Sequence, residues 1–389
     1  MSLQTYFADM HIHIGRDKCN QPVKITASNQ LTLTRILKEA SRRKGIDLIG
    51  VIDAHAPNVL LELKELLEAG FATELTDGGI RFEKVTLLLG AEIEVYDAYC
   101  RGPIHVLCYV PTVESMDIFS SWLKGRMTNI SLSSQRFYGS AQELQQKVKE
   151  LAGLFIPAHV FTPFKSLYGK GVVTSLREVL DPKLIDGIEL GLSSDTSMAD
   201  QIQELHSYTF LTNSDAHSLK KIAREYQQIA LKEPSFKEFS LALKQEDGRR
   251  WIRNFGMNPK LGKYYATVCQ ECMHQNKPGA NQCVQCGGKK IIKGVRDRIT
   301  EIGQADMKRI NRPPYLYQVP LEFLPKLGPK TYERLLTHFN TEMNILHHVS
   351  YEQLIQVIQP SLAMLIIQMR EGKLDIIPGG GGKYGRVKK

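Results

Sequence analysis

The sequence predicts a parallel α/β fold, barrel or doubly wound, followed by a small cysteine module and a helical C-terminal region. Three observations carry this. From Tyr6 to about Lys221, short β-rich runs alternate with amphipathic helical stretches, the pattern of a parallel sheet with helical crossovers. Histidines and acids gather where those runs end, the rim on which α/β folds build their sites. Four of the seven cysteines then fall in two Cys-x2-Cys pairs with ten residues between them.

The expected strands are Phe7–Ile14, Leu48–Ile52, Val85–Val95, His105–Val110, Leu154–Ala158, Gly187–Leu190 and Phe210–Asn213. Expected helices are Leu31–Lys44, Val59–Ala69, Ala141–Ala152, Ser175–Leu180 and Met198–His206. The alternation stops near Glu233-Pro234-Ser235. A helix over Phe236–Lys244 then leads to the charged segment Glu246–Arg250, taken as a domain boundary. The division expected is 1–245 for the α/β body, 246–293 for a linker and the cysteine module, and 294–377 for a helical domain. A flexible, Gly-rich, basic tail is expected over 378–389.

At 389 residues the chain fits two or three domains. No apolar run reaches the length of a membrane span, and Met1–Tyr6 lacks the features of a secretory signal. The expected compartment is therefore the cytoplasm, where cysteines are reduced or metal-bound rather than paired. Net charge is +9, unevenly spread: residues 249–389 carry 23 basic against 10 acidic residues, a net of +13, while residues 1–248 net −4. A basic appendage on an acidic body points to a polyanion partner.

The first strand ends in Asp9-Met10-His11-Ile12-His13. Residues two apart in a strand share a face, so His11 and His13 can reach one metal ion. Later strands add Asp53 and His55, Glu92, His159, Glu189, and Asp215 with His217. His105 breaks the pattern by standing at the start of its strand, unless that strand runs the other way. One histidine beside a strand is ordinarily a hydrogen-bonded packing residue, but independent packing roles would not gather this many at one level. Mixed imidazole and carboxylate ligands suit zinc, manganese or iron. Such a site lowers the pKa of bound water and offsets charge on a phosphoryl group, so phosphoester hydrolysis is the expected chemistry. No P-loop, Rossmann fingerprint or Gly-x-Ser-x-Gly elbow is present.

Cys269, Cys272, Cys283 and Cys286 fit one structural zinc with no open position. Further on, Leu321–Tyr332 precedes a helix through Phe339 and looks like a helix–hairpin–helix element. In such an element backbone N–H groups at the turn grip a DNA phosphate. Gly328 marks the turn, and Lys326 and Lys330 flank it. The stripe Leu354, Ile355, Ile358, Leu362, Leu365 and Ile366 is expected to be core, and His347-His348 to be helix surface.

Residues 7–217 resemble the PHP (polymerase and histidinol phosphatase) phosphoesterases. The resemblance implies a distorted (β/α)7 barrel and two or three divalent metals, with zinc first and magnesium or manganese as alternatives. His11 and His13 match the opening His-x-His. Asp53 and His55 match the second motif with an extra residue between them, and Glu92 matches the metal-bridging acid. His105 and His159 match the next two ligands, and Asp215 and His217 the closing Asp-x-His. The turn after the first motif offers Gly15-Arg16-Asp17 where some members supply another histidine, leaving Asp17 as the substitute ligand for a third ion. His11, His13, Glu92 and Asp215 are the expected catalytic set.

The order of body, cysteine module and helical segment resembles the endonuclease Q family. So do Ile156–Pro163, Pro259–Tyr264 and the terminal Gly-Gly-Lys-Tyr-Gly. That resemblance implies nicking on the 5′ side of deaminated bases (uracil, hypoxanthine, xanthine) and abasic sites, leaving a 3′-hydroxyl and a 5′-phosphate. Phe161, Phe164, Lys165, Tyr168 and Lys263 join Lys326, Gly328 and Lys330 as expected DNA contacts. The expected partner is damaged DNA, double- or single-stranded, with no membrane. A monomer on the nucleoid, touching a sliding clamp or repair factor, completes the expectation. The alternatives are a phosphoesterase for small esters or nucleotides, and a non-catalytic DNA-binding accessory protein.

Overall fold

The computed structural model describes residues 2–304, 310–379 and 384–388, and its main sheet grows from the strand Gln4–Ile12. Residues 8–12 pair in parallel with Leu48–Val51, which pairs in parallel with Val85–Val95. Leu48–Val51 is fully buried and Val85–Val95 nearly so, as parallel strands covered by helices on both faces must be. Helices Leu33–Glu39, Pro57–Glu68 and Ala141–Glu150 form where the periodicity predicts. A further helix, Val113–Lys124, was not expected; Thr112 caps it by accepting from the Ser115 amide. The stretches around Ser175–Leu180 and Met198–His206 are shorter than predicted, holding only the turns Leu176–Glu178, Thr196–Ala199 and Gln203–Leu205.

Ile104–Val110 runs antiparallel to Val85–Val95, with His105 opposite Glu94. The reversal explains the odd position of His105, because the start of this strand lies on the same rim as the end of its neighbour. Leu154–Pro157 pairs antiparallel to Ile104–Val110, and Ile188–Glu189 pairs in parallel with Phe210–Leu211. The ring closes where Ala216 bridges Ile12, with the His13 amide donating to Ala216 O at 3.1 Å and the Ala216 amide to His11 O at 3.0 Å.

The sheet does not stop at residue 245. Tyr226–Leu231 lies antiparallel to residues 4–8, and Arg250–Gly256, expected as linker, lies antiparallel to Tyr226–Leu231. The charges that read as linker are satisfied locally: Arg249 pairs with Glu238 at 2.6 Å, while Trp251 and Phe255 turn into the core. The tail departs from expectation too. Arg386–Val387 pairs with Ile376–Ile377, and the Gly385 amide donates to Leu261 O at 2.9 Å. Residues 380–383 and 389 of the expected tail lie outside the described residues.

Helices Pro329–Phe339, Glu342–His347, Tyr351–Ile355 and Pro360–Arg370 pack on the barrel. Leu354, Ile358, Leu362 and Ile366 are buried as expected and Leu365 is partly so, whereas Ile355 is exposed. His347 is not surface. Its ring stacks on Phe7 at 4.4 Å and bonds the Tyr226 hydroxyl at 2.8 Å, and burial holds its pKa down to about 3. The element before Pro329–Phe339 is a single 3-10 turn, Leu321–Phe323, rather than a helix. Among the described residues, no helix is long and apolar enough to cross a membrane.

One buried acid gives a pH-dependent prediction. Glu225 accepts from the Met257 amide at 2.9 Å, its second oxygen has no partner, and burial pushes its pKa up to about 8. Between roughly pH 4.3, where an unfolded glutamate titrates, and the raised folded value, the unfolded chain binds fewer protons, so stability falls as pH rises. Glu225→Gln copies the protonated form. The variant should match the parent near pH 4 and exceed it by roughly 5 kcal/mol by pH 8.5, ~1.4 kcal/mol for each pH unit between the two values. Urea melts across that range check it, and parallel curves would refute it.

Candidate active site and cysteine module

His11 and His13 leave the first strand on one face, and each is held at Nδ1 by a buried carboxylate. Glu189 Oε2 lies 2.9 Å from His11 Nδ1, and Asp53 Oδ2 lies 3.1 Å from His13 Nδ1. Those contacts leave Nε2 of each ring turned toward Glu92 and Asp215, buried and without a hydrogen-bond partner. An unsatisfied buried nitrogen is costly unless it meets a ligand. Asp215 Oδ1 lies 3.5 Å from His11 Nε2, 3.6 Å from His13 Nε2 and 3.4 Å from His217 Nε2. Glu92 spans two groups: Oε2 is 3.6 Å from His13 Nε2, while Oε1 is 2.9 Å from His105 Nδ1 and 3.2 Å from His159 Nε2. Ligands bound to one ion at about 2.1 Å stand roughly 3.0–3.4 Å apart. The donors fall in three overlapping groups, His11 with His13 and Glu92, His13 with Asp215 and His217, and Glu92 with His105 and His159, a set that fits divalent ions sharing Glu92.

The electrostatics agree. Burial would raise the Asp215 and Glu92 carboxyls, yet the surrounding histidines, and Lys24 for Glu92, hold both well below their ordinary range. Burial and Lys24 bring His13 down to about 4, the neutral state a ligand needs. Burial opposes a charge on His11, but Glu189 and Asp215 outweigh it and raise the ring to about 10. A proton and an ion compete for that nitrogen, so binding an ion releases a proton. His159 and Asp215 have φ of +32° and +45°, left-handed values of the kind that side chains held for function adopt at a cost.

Three expected ligands sit elsewhere. Asp53 faces His13 and the Ile14 amide, 2.7 Å from Oδ2, so it orients a ligand rather than joining the cluster. The chain turns at Ala54–His55, which breaks the alternation that would have placed His55 beside Asp53. His55 is buried, both ring nitrogens lack partners, and it belongs to none of the converging ligand groups among the described residues. Asp17 accepts from the Cys19 and Gln21 amides and from Asn58 Nδ2 at 2.7 Å, which makes it a loop-bracing residue. The sequence gives no sign of Lys24, whose Nζ lies 3.1 Å from Glu92 Oε2 and 2.6 Å from Ser134 Oγ.

Beside the ligands opens a cavity of about 290 Å³, lined by Lys24, Glu92, His159 and Asp215 together with Phe164, Lys165, Lys263, Tyr264 and Tyr384. Phe164 meets Tyr264 edge-on at 5.4 Å, and Lys263 Nζ lies 4.9 Å from the Tyr264 ring and 5.6 Å from the Tyr384 ring. Tyr264 and Tyr384 were not among the expected contacts, and Tyr384 reaches the cavity because the tail folds back on Leu261.

No protein-family model matches the chain. The protein YqxK of Bacillus subtilis (strain 168) is 52% identical over 386 residues, covering 99% of this chain and 100% of that one. The crystal structure of PfuEndoQ, a lesion-specific endonuclease from Pyrococcus furiosus, matches with a TM-score of 0.85 at 33% identity, covering 99% of this chain and 95% of that one. The chain belongs to the endonuclease Q family. A second structure, endonuclease Q in complex with a 27-mer duplex substrate carrying an abasic lesion at the active site, matches at TM-score 0.84 and 33% identity, covering 99% and 96%.

Within this endonuclease Q chain the expected DNA contacts divide. Phe164, Lys165 and Lys263 line the cavity. Phe161 and Tyr168 do not: they are buried and stacked on each other at 5.4 Å, with the Tyr168 hydroxyl donating to Glu204 at 2.8 Å. Both are apolar-faced rings in a buried turn, and core packing claims them. Lys326, Gly328 and Lys330 are exposed at the start of Pro329–Phe339, and Gly328 lines a different cavity.

The four cysteines converge. Cys269 Sγ lies 3.7 Å from Cys286 Sγ and Cys272 Sγ 3.5 Å from Cys283 Sγ, with all four within 4.8 Å of one another. Those separations are far too long for disulfides and match the edge of a tetrahedron around zinc, about 3.8 Å for 2.3 Å bonds. The Glu271 and Gln285 amides donate to Cys269 and Cys283 Sγ, each at 3.4 Å, as thiolates require. The two-stranded hairpin of Val268–Cys269 with Ile291–Ile292 closes the module.

Proposed function

We propose that the protein is a metal-dependent DNA-repair endonuclease that hydrolyses the phosphodiester 5′ of deaminated bases (uracil, hypoxanthine, xanthine) and of abasic sites, leaving a 3′-hydroxyl and a 5′-phosphate. The observation that carries this is one cavity of about 290 Å³ whose lining joins the Glu92 ligand set to aromatic and lysine side chains. The family's complex with an abasic duplex supports the substrate class. His11, His13, His217 and Asp215 would hold one divalent ion and His105 and His159 another, with Glu92 between. Zinc suits these ligands, and manganese or magnesium is an alternative. When bound, the ions lower the pKa of a water and offset charge on the phosphoryl group.

The chain's own side chains do the rest. Asp53 and Glu189 fix the ring orientations of His13 and His11. Lys165, paired with Glu94 at 2.8 Å, and Lys263 offer positive charge to backbone phosphates. Phe164, Tyr264 and Tyr384 offer faces and edges to an unstacked base. Flipping a nucleotide out costs less at a mismatch or an abasic site than at a paired base, which favours lesions. The basic C-terminal region holds the duplex through its phosphates without reading sequence.

The test is a nicking assay on end-labelled duplexes carrying one uracil, one hypoxanthine, one xanthine, one abasic site or none, with divalent metal and with chelator. Metal-dependent cleavage 5′ of the lesions is expected. Asp215→Ala should lose on the order of 10³-fold or more of it. A well-metallated protein that cuts no lesion duplex would overturn the proposal. Hydrolysis of chromogenic phosphomonoesters instead would favour the small-ester phosphoesterase.

A further inference from the structure

Helix Val295–Ile302 follows the cysteine module and gives no residue to the ligand groups or to the cavity lining among the described residues. It is nevertheless bonded to two of the segments that line the cavity. At its start, the Val295 and Arg296 amides donate to Tyr264 O and Tyr265 O at 2.9 and 3.0 Å. Arg298 reaches the second segment: Nε donates to Tyr168 O at 2.8 Å, and Nη2 donates to Val172 O at 3.0 Å and to Val173 O at 2.6 Å. Those carbonyls belong to the loop that brings Phe164 and Lys165 to the cavity. Phe164 in turn meets Tyr264 edge-on, so one helix is bonded to the segments of both rings. The helix is itself fixed to the base of the cysteine module. Asp297 Oδ2 accepts from the Thr267 amide at 3.0 Å and from the Thr267 hydroxyl at 2.6 Å. Gly294 lies so close to Ala266 that a Cβ there would stand 2.2 Å from a backbone carbon.

The Arg298 side chain is only 13% exposed, and Glu301, the carboxylate it meets at 3.2 Å, is 47% exposed. A guanidinium placed this way spends its donors on backbone carbonyls, and charge-assisted bonds are roughly twice as strong as neutral ones. The planar fork of arginine loses little freedom in making several of them at once, which a lysine cannot copy. We infer that Arg298 is a positioning residue for the substrate: it clamps the 164–173 loop to the Tyr264 segment, so that Phe164 and Lys165 stand in place before a nucleotide enters. This rests on reading the cavity as the nucleotide site. A loop already ordered avoids the ordering cost that otherwise falls on affinity. The barrel histidines are held by their own carboxylates, so Arg298 acts on binding and leaves the chemical step alone.

Hydrogen exchange of the full-length protein tests the clamp without any need for activity. In Arg298→Met the amides of residues 164–173 should exchange on the order of 10-fold faster, while the barrel strands and the cysteine module exchange as in the parent. Arg298→Lys keeps the charge without the fork and should fall between. Single-turnover nicking of a uracil duplex, titrated with enzyme, then separates binding from chemistry. The half-saturating concentration of Arg298→Met should rise roughly 10-fold, with the saturating rate within about twofold of the parent's. Unchanged exchange in the loop would overturn the inference, and so would an unchanged half-saturating concentration. Faster exchange throughout the chain would make Arg298 a general prop and overturn it as well. A saturating rate that falls ~10-fold or more would place the effect in the chemistry, again against the inference. A parent that nicks no lesion duplex would remove the endonuclease reading alone. Protection of residues 164–173 by a uracil duplex would then decide: weaker in Arg298→Met than in the parent supports the clamp, and no difference overturns it.

Discussion

Glu92→Gln should lose on the order of 10³-fold or more of the nicking activity together with both barrel ions, while the cysteine-held ion and duplex binding remain. Glu92 stands in two of the ligand groups, with His11 and His13 and with His105 and His159: Oε1 faces His105, His159 and His11, and Oε2 faces His13 and Lys24. An amide keeps the shape but offers one neutral oxygen, and its NH2 group faces atoms that also need an acceptor. The Lys24 ammonium would then be buried without its partner, which adds a cost of its own. Single-turnover nicking and elemental analysis on the same preparation would check this. A variant with a full complement of barrel ions and a normal rate would show that Glu92 does not bridge. Duplex binding measured against salt should be nearly unchanged, because phosphate contacts come from other parts of the chain.

The second large effect is on stability. Lys44 ends the barrel's first helical segment, and Glu342 starts a helix some 300 residues later. Their charged atoms meet at 2.6 Å with side chains only 4% and 3% exposed. The Tyr332 hydroxyl donates to the same Glu342 oxygen at 2.8 Å, and Lys44 also donates to Lys220 O at 3.2 Å. Lys44→Met should destabilise the protein by about 3–5 kcal/mol, because it leaves Glu342 buried and uncompensated. The double variant Lys44→Met with Glu342→Leu should recover most of that loss, since replacing both partners by apolar groups of similar size is close to neutral. Denaturant melts of the two variants test it directly. Equal losses in both would mean that the damage comes from packing rather than from the stranded charge.

Much of the chemistry was legible in the primary structure because ligand chemistry constrains residue type and spacing tightly. Two Cys-x2-Cys pairs at this spacing present four thiols to one tetrahedral centre. Histidines two apart on a strand must share a face. The set His11, His13, Glu92, His159, Asp215 and His217 could therefore be named from order and strand position, while His105 was implied only by the resemblance to the PHP phosphoesterases. The alternation of apolar runs likewise gave the strands of the barrel to within a few residues. It missed Tyr226–Leu231 and Arg250–Gly256, whose charged neighbours mimic a linker until Arg249 finds Glu238.

What the tertiary structure alone decided is which side chains arrive from far away, and whether a polar residue meets the centre or something nearer. Strand direction around Ile104–Val110 put His105 on the correct rim. A turn at Ala54–His55 took His55 off it, and two loop amides and an asparagine claimed Asp17. Phe161 and Tyr168 had the right types and neighbourhood for a nucleic-acid contact, yet burial claimed both. Lys24 carried no local signal and Tyr384 only its place in the terminal Gly-Gly-Lys-Tyr-Gly, and each reached the cavity through backbone hydrogen bonds made elsewhere: Lys24 N to Ile14 O at 2.8 Å, and Gly385 N to Leu261 O at 2.9 Å. Sequence by itself determined the donor types and their order, because coordination geometry and strand periodicity are local rules. The fold decided their company, because contacts between distant segments are set by the packing of the whole core, which no local pattern encodes.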